Sequence, residues 1–183
     1  MIEASKAFSA FINLTTTFNN HFITPMNNTM INNTTTEINN TTTDLRLTKH
    51  FCLSEFTRSA TAIRYGISNQ PSEQQVQRLQ ALCQQVLEPL RRRFGVIRIT
   101  SGYRSPELNV RVGGVPNSQH TLGEAADIHT GGKETSEKMY HYIRTQLPYD
   151  QLILERRPGV YWLHVSFRSD RPGNRHQVFM QRK

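Results

Sequence analysis

The sequence predicts an α+β domain in which helices cover one face of a mostly antiparallel sheet and the other face holds a cleft. Three observations carry this expectation. Residues 72–94 repeat apolar side chains at helical spacing, and residues 135–147 do so again. Four short runs read as strands: Val96-Ile97-Arg98-Ile99-Thr100, Ala125-Ala126-Asp127-Ile128, Asp150-Gln151-Leu152-Ile153-Leu154-Glu155 and Val160-Tyr161-Trp162-Leu163-His164-Val165-Ser166. The last two flank Arg156-Arg157-Pro158-Gly159, a turn signal that makes them a hairpin. A chain of 183 residues with 36% hydrophobic content can bury one core.

In chain order, residues 13–43 are dominated by Asn and Thr, as in Asn32-Asn33-Thr34-Thr35-Thr36, and contain little that could build a core. A disordered tail is expected over residues 1–46 and a domain over residues 47–183. Ser54 is placed to cap a short helix over residues 55–60. Ser72 then begins the long helix, with Gln75 completing a capping box. Val76, Leu79, Cys83, Val86, Leu87, Leu90 and Phe94 form its buried stripe. Pro89 should disturb this helix, because it lacks an amide proton and crowds the preceding turn. Gly95 stands at the C-cap, and Arg91, Arg92 and Arg93 favour the negative helix end. Cys52 and Cys83 form no C-x-x-C pair, and a buried free thiol is expected at Cys83.

The strand at residues 96–100 delivers Ser101-Gly102-Tyr103-Arg104 to a junction with a second helix start, Ser105-Pro106-Glu107. Residues 113–117 read as a turn leading into Ser118-Gln119-His120-Thr121-Leu122-Gly123-Glu124-Ala125-Ala126-Asp127. Here an imidazole and a carboxylate lie seven positions apart, and Trp162-Leu163-His164 offers a second imidazole. A loop that turns at Gly123 can fold His120 back over Asp127. Two neutral imidazoles and a carboxylate suit zinc, with the fourth tetrahedral position left open, as in catalytic sites. The competing reading makes His120 a surface histidine and Asp127 a strand-end cap. His129, His141 and His176 are expected to be ordinary histidines. Residues 176–180 suggest a last edge strand.

The pattern Ser-x-His-x-x-Gly-x-Ala-x-Asp at residues 118–127, followed by His164-Val165-Ser166 on a strand, resembles the zinc D-Ala-D-Ala carboxypeptidase family, with Ser101-Gly102-Tyr103-Arg104-Ser105 matching its arginine-bearing segment. The similarity covers residues 51–167 and implies a hedgehog/DD-peptidase-like fold, one zinc ion held by His120, Asp127 and His164, and cleavage of peptidoglycan peptides. It also implies that Arg104 lies in the substrate cleft, where a guanidinium suits a carboxylate or developing oxyanion. Ser118 and Trp162 are candidate substrate contacts. The hairpin brings Glu155 near His164, which makes it the candidate general base. Many members instead carry an acid three residues before the last histidine, where this chain has Tyr161. A carboxypeptidase, an endopeptidase cutting within the stem peptide as a phage lysin does, and a zinc-stabilised binding module all remain open.

The formal charge is +8, which suggests an anionic partner. Nothing interleaves aromatics and arginines as a nucleic-acid module would, so a wall polymer is expected rather than nucleic acid. A monomer is expected. Met1-Ile2-Glu3-Ala4-Ser5-Lys6 lacks a basic leader region and no stretch could span a membrane, which points to a cytoplasmic product or to phage-type release.

Overall fold

A computed structural model describes residues 43–170 and 172–182. The expected tail falls outside these residues as far as position 42. Positions 44–46 already pack: Leu53 donates its N–H to Leu45 O at 2.8 Å, and the Asp44 carboxylate accepts from Ser54 N at 3.1 Å. Two short helices follow, α1 (Leu53–Thr57) and α2 (Ala60–Tyr65). The single helix expected over residues 55–60 is therefore split. The reason is Ser59, which takes an extended conformation and accepts from Ala62 N, so it starts a new helix instead of continuing the old one.

The long helix begins as anticipated, with Ser72 and Gln75 in a reciprocal capping box. It runs as α3 (Glu73–Leu82), a π turn (Cys83–Leu87) and α4 (Glu88–Phe94), and closes at Gly95. The disturbance expected from Pro89 takes the form of that π turn. Glu88 N–H bonds to Cys83 O, five residues back, which widens the backbone just before the residue that has no N–H to give. Cys83 is buried within it, and both cysteines are free.

Five strands, β1 (Arg98–Ser101), β2 (Ala125–His129), β3 (Gln151–Arg157), β4 (Val160–Ser166) and β5 (Gln177–Arg182), form one sheet in the order β1-β2-β4-β3-β5. Helix α5 (Pro106–Arg111) connects β1 to the loop before β2, and α6 (Lys133–Gln146) connects β2 to β3. All pairings are antiparallel except β3 with β5, which is parallel. Among the described residues, no helix is long and apolar enough to cross a membrane.

Alternation along the strands divides the sheet into two faces. Ala126, Ile128, Leu152, Leu154, Leu163 and Val165 face the helices and join Leu79, Leu82, Leu87, Leu90, Met139 and Ile143 in one buried cluster. Their strand neighbours Asp127, His164, Ile153 and Glu155 line a cavity on the opposite face.

An ion pair between a buried carboxylate and an exposed arginine ties the last strand to this body. Asp150 is wholly buried at the start of β3 and accepts from Arg175 through its backbone N at 2.9 Å and Nη2 at 2.5 Å, and from Gln119 Nε2 at 2.8 Å. Burial opposes its ionisation, but the Arg175 and Gln119 hydrogen bonds prevail and lower its pKa to about 2. An unfolded aspartate titrates near 4. The stabilisation is therefore complete above about pH 4 and lost as pH falls through about 2, a window worth about 2–3 kcal/mol. Asp150→Asn should be less stable than wild type by about that amount at pH 7, and the gap should close as pH approaches 2, as denaturant titrations at several pH values would read. A gap independent of pH would show that charge is not what Asp150 contributes.

Candidate metal centre

Pairing of β2 with β4 sets Asp127 opposite His164. The loop before β2 supplies the third side chain, His120, and it is held in place from two directions. From below, Gln75 Nε2 and Arg78 Nη1 on α3 donate to Thr121 O and Leu122 O at 2.9 and 3.2 Å. Gly123 has φ +73, and a Cβ there would meet Gln75 O at 2.6 Å, so the turn requires glycine both for conformation and for closeness to the helix. From the side, Gly102 O lies 2.6 Å from His120 Nδ1. A carbonyl only accepts, so Nδ1 carries the proton and Nε2 keeps its lone pair. Gly102 can come this close because a Cβ there would strike Phe56 Cα at 2.6 Å.

His120 Nε2, His164 Nδ1 and Asp127 Oδ1 form a near-equilateral triangle with sides of 3.2, 3.0 and 3.3 Å. A tetrahedral ion with bonds of about 2.0–2.1 Å separates its ligand atoms by about 3.3–3.4 Å. The donor set and its spacing therefore fit zinc. Among the described residues this is the one group of three His, Cys, Asp or Glu side chains so disposed, and His129, His141 and His176 stand outside it. Burial, the largest influence, lowers the pKa of His120 and outweighs the upward pull of Asp127. Burial works against the Asp127 charge too, but its close contacts with the His120 and His164 rings hold its carboxyl well below the usual range. Both shifts favour the ligating forms, a neutral imidazole and a carboxylate.

Arg104 reaches the same carboxylate from behind. Its Nη2 lies 3.1 Å from Asp127 Oδ2 and its Nε donates to Ser101 Oγ at 3.0 Å. The segment that carries it is pinned by buried Asn69, whose amide bonds to Tyr103 O and Ser105 N. Arg104 thus lines the cavity while orienting the oxygen that points at the two imidazoles.

The cavity holds about 870 Å³ and is lined by Arg104, Ser118, His120, Asp127, Glu155 and His164. Glu155 is buried, and its strand neighbour Ile153 is the residue paired with His164, so Glu155 lies on the diagonal from that imidazole, about 7–8 Å in backbone terms. Trp162 pairs with Glu155 on this face but is not among the residues lining the cavity, and Arg157 stacks on its ring at 5.7 Å. Tyr161 is one residue out of phase with His164 and packs beside Lys133 and Glu137 of α6 on the helical side. The supports from Gln75, Arg78, Asn69 and Asp150 were not anticipated. Only Gln75 carried a local signal, and that signal was for the helix cap.

If this triangle is the metal centre, the purified protein should carry about one zinc ion per chain, and His120→Ala should lose most of it, since two ligands hold the ion poorly. Elemental analysis that found the variant fully loaded would remove His120 from the ligand set.

Comparison with known proteins agrees with the geometry. The model of the family described as Peptidase M15 matches residues 49–166, a span that includes the three triangle residues, Arg104 and Glu155 and stops before β5. A search of curated proteins finds no match. On the extent of that family match, the chain belongs to the Peptidase M15 family, of the zinc D-Ala-D-Ala carboxypeptidase type, and is a metallopeptidase.

Proposed function

We propose that the protein hydrolyses peptide bonds of peptidoglycan at D-amino-acid residues, with carboxypeptidase-type removal of a terminal D-Ala as the first reading. The observation that carries this is the triangle of ligand atoms in the wall of a large cavity, with a buried glutamate on the same face of the sheet. His120, Asp127 and His164 would hold zinc, which supplies Lewis acidity to a scissile carbonyl and to water. Glu155 takes the proton of the attacking water and returns it to the leaving amine. Arg104, braced by Ser101 and Asp127, turns its remaining N–H groups toward the substrate carboxylate or the developing oxyanion. Ser118 contributes a hydroxyl in the cavity wall.

One observation favours the second reading, an endopeptidase acting within the stem peptide. The cavity reaches from Arg58 and Thr61, flanking the start of α2, to Phe179 and Gln181 on β5, and the triangle residues line it as well. A terminal dipeptide would fill a small part of its 870 Å³. Mass spectrometry of digested muropeptides separates the two: release of single D-Ala marks a carboxypeptidase, and separation of cross-linked stems marks an endopeptidase.

The role of Glu155 has its own test. Glu155→Gln preserves shape and zinc but removes the proton acceptor, so turnover should fall by about 10²–10⁴-fold with the metal content unchanged. Hydrolysis within a few-fold of wild type would assign the proton to another group. No hydrolysis by zinc-loaded wild type on terminal or cross-linked substrates would favour a binding module.

A further inference from the structure

We infer that the ridge formed by α2, α5 and the loop after α5 docks the peptidoglycan strand that continues away from the scissile bond, an inference that rests on the peptidoglycan reading above. Single exposed apolar side chains are ordinary on a protein surface, so grouping is what matters. Here Ile63 and Tyr65 on α2, Val110 on α5, and Val112 and Val115 just after it are all exposed, Ile63 and Val110 by 79% and 78%. Arg111 on α5 stacks over the Tyr65 ring at 3.8 Å, which joins the two helices into one surface.

Two further features identify the occupant. The ridge is continuous with the cavity, because Arg58, Thr61, Val112 and Val115 belong to both. A substrate longer than the cavity runs onto it without leaving contact. Its charge is also predominantly positive: residues 58–67 and 106–117 contain Arg58, Arg64 and Arg111 against a single acid, Glu107 in the first turn of α5. Sugar rings with apolar faces, bearing stem peptides with free carboxylates, match a surface of valine, isoleucine and tyrosine set among arginines. Asn109 fixes the loop side of the ridge, since its side-chain Nδ2 donates to Val115 O at 2.8 Å and its backbone O accepts from Gly114 N at 2.8 Å. The loop is thereby presented as a rigid wall rather than a lid.

The test is sedimentation with insoluble peptidoglycan, which reads binding without turnover and so is separate from the hydrolysis reading. The R64E/R111E variant should keep its zinc and its thermal transition and bind at least about tenfold more weakly than wild type. The R92E/R93E variant makes the same change in net charge on α4 and should bind as wild type does. Equal losses in both pairs would reduce the effect to overall charge and overturn the proposal, as would wild-type binding by R64E/R111E. Binding of wild type to anionic lipid vesicles but not to peptidoglycan would overturn it in favour of a membrane surface.

Discussion

A carboxylate placed inside a protein must be met by charge or hydrogen bonds on every side it presents, and Asp127 organises the molecule around that requirement. One of its oxygens faces two imidazoles and the other faces a guanidinium. Each partner comes from a different element: His120 from the loop, His164 from β4 and Arg104 from the junction after β1. Each of those elements is braced in turn by α3, by the core and by Asn69. The helical layer thus supports the chemistry without contributing a side chain to the triangle.

The sheet's two-residue period decides which side chains can take part. Glu155 and His164 lie on the cleft face, whereas Tyr161 lies on the face under α6. Tyr161 is turned toward the helices, whereas Glu155 of the neighbouring strand lines the cleft.

Much of this architecture is legible in the amino-acid sequence. Periodicity locates the long helix and the hairpin, and the motif at residues 118–127 together with His164 names the three side chains that meet in the triangle. What escapes are interactions between residues distant in the chain that leave no local pattern. Asp150 reads as the first residue of a strand, and nothing nearby announces a pairing with Arg175. Gln75 reads as half of a capping box, yet its amide nitrogen also holds the metal loop while its oxygen accepts from Ser72 N. The split between α1 and α2 escapes for another reason: the first helix begins at Cys52, with Ser54 inside it bonded to distant Asp44, and Ser59 caps a second helix.

Strand β5 lies beyond the segment that matches the family, yet it supplies Phe179 and Gln181 to the cavity wall and is fastened by Arg175 to the same aspartate that holds Gln119 of the metal loop. The triangle and this outer wall therefore belong to different stretches of the chain. Substitutions in the last strand can alter what the groove admits while the inherited chemistry stays intact, provided the arginine that joins the two is kept.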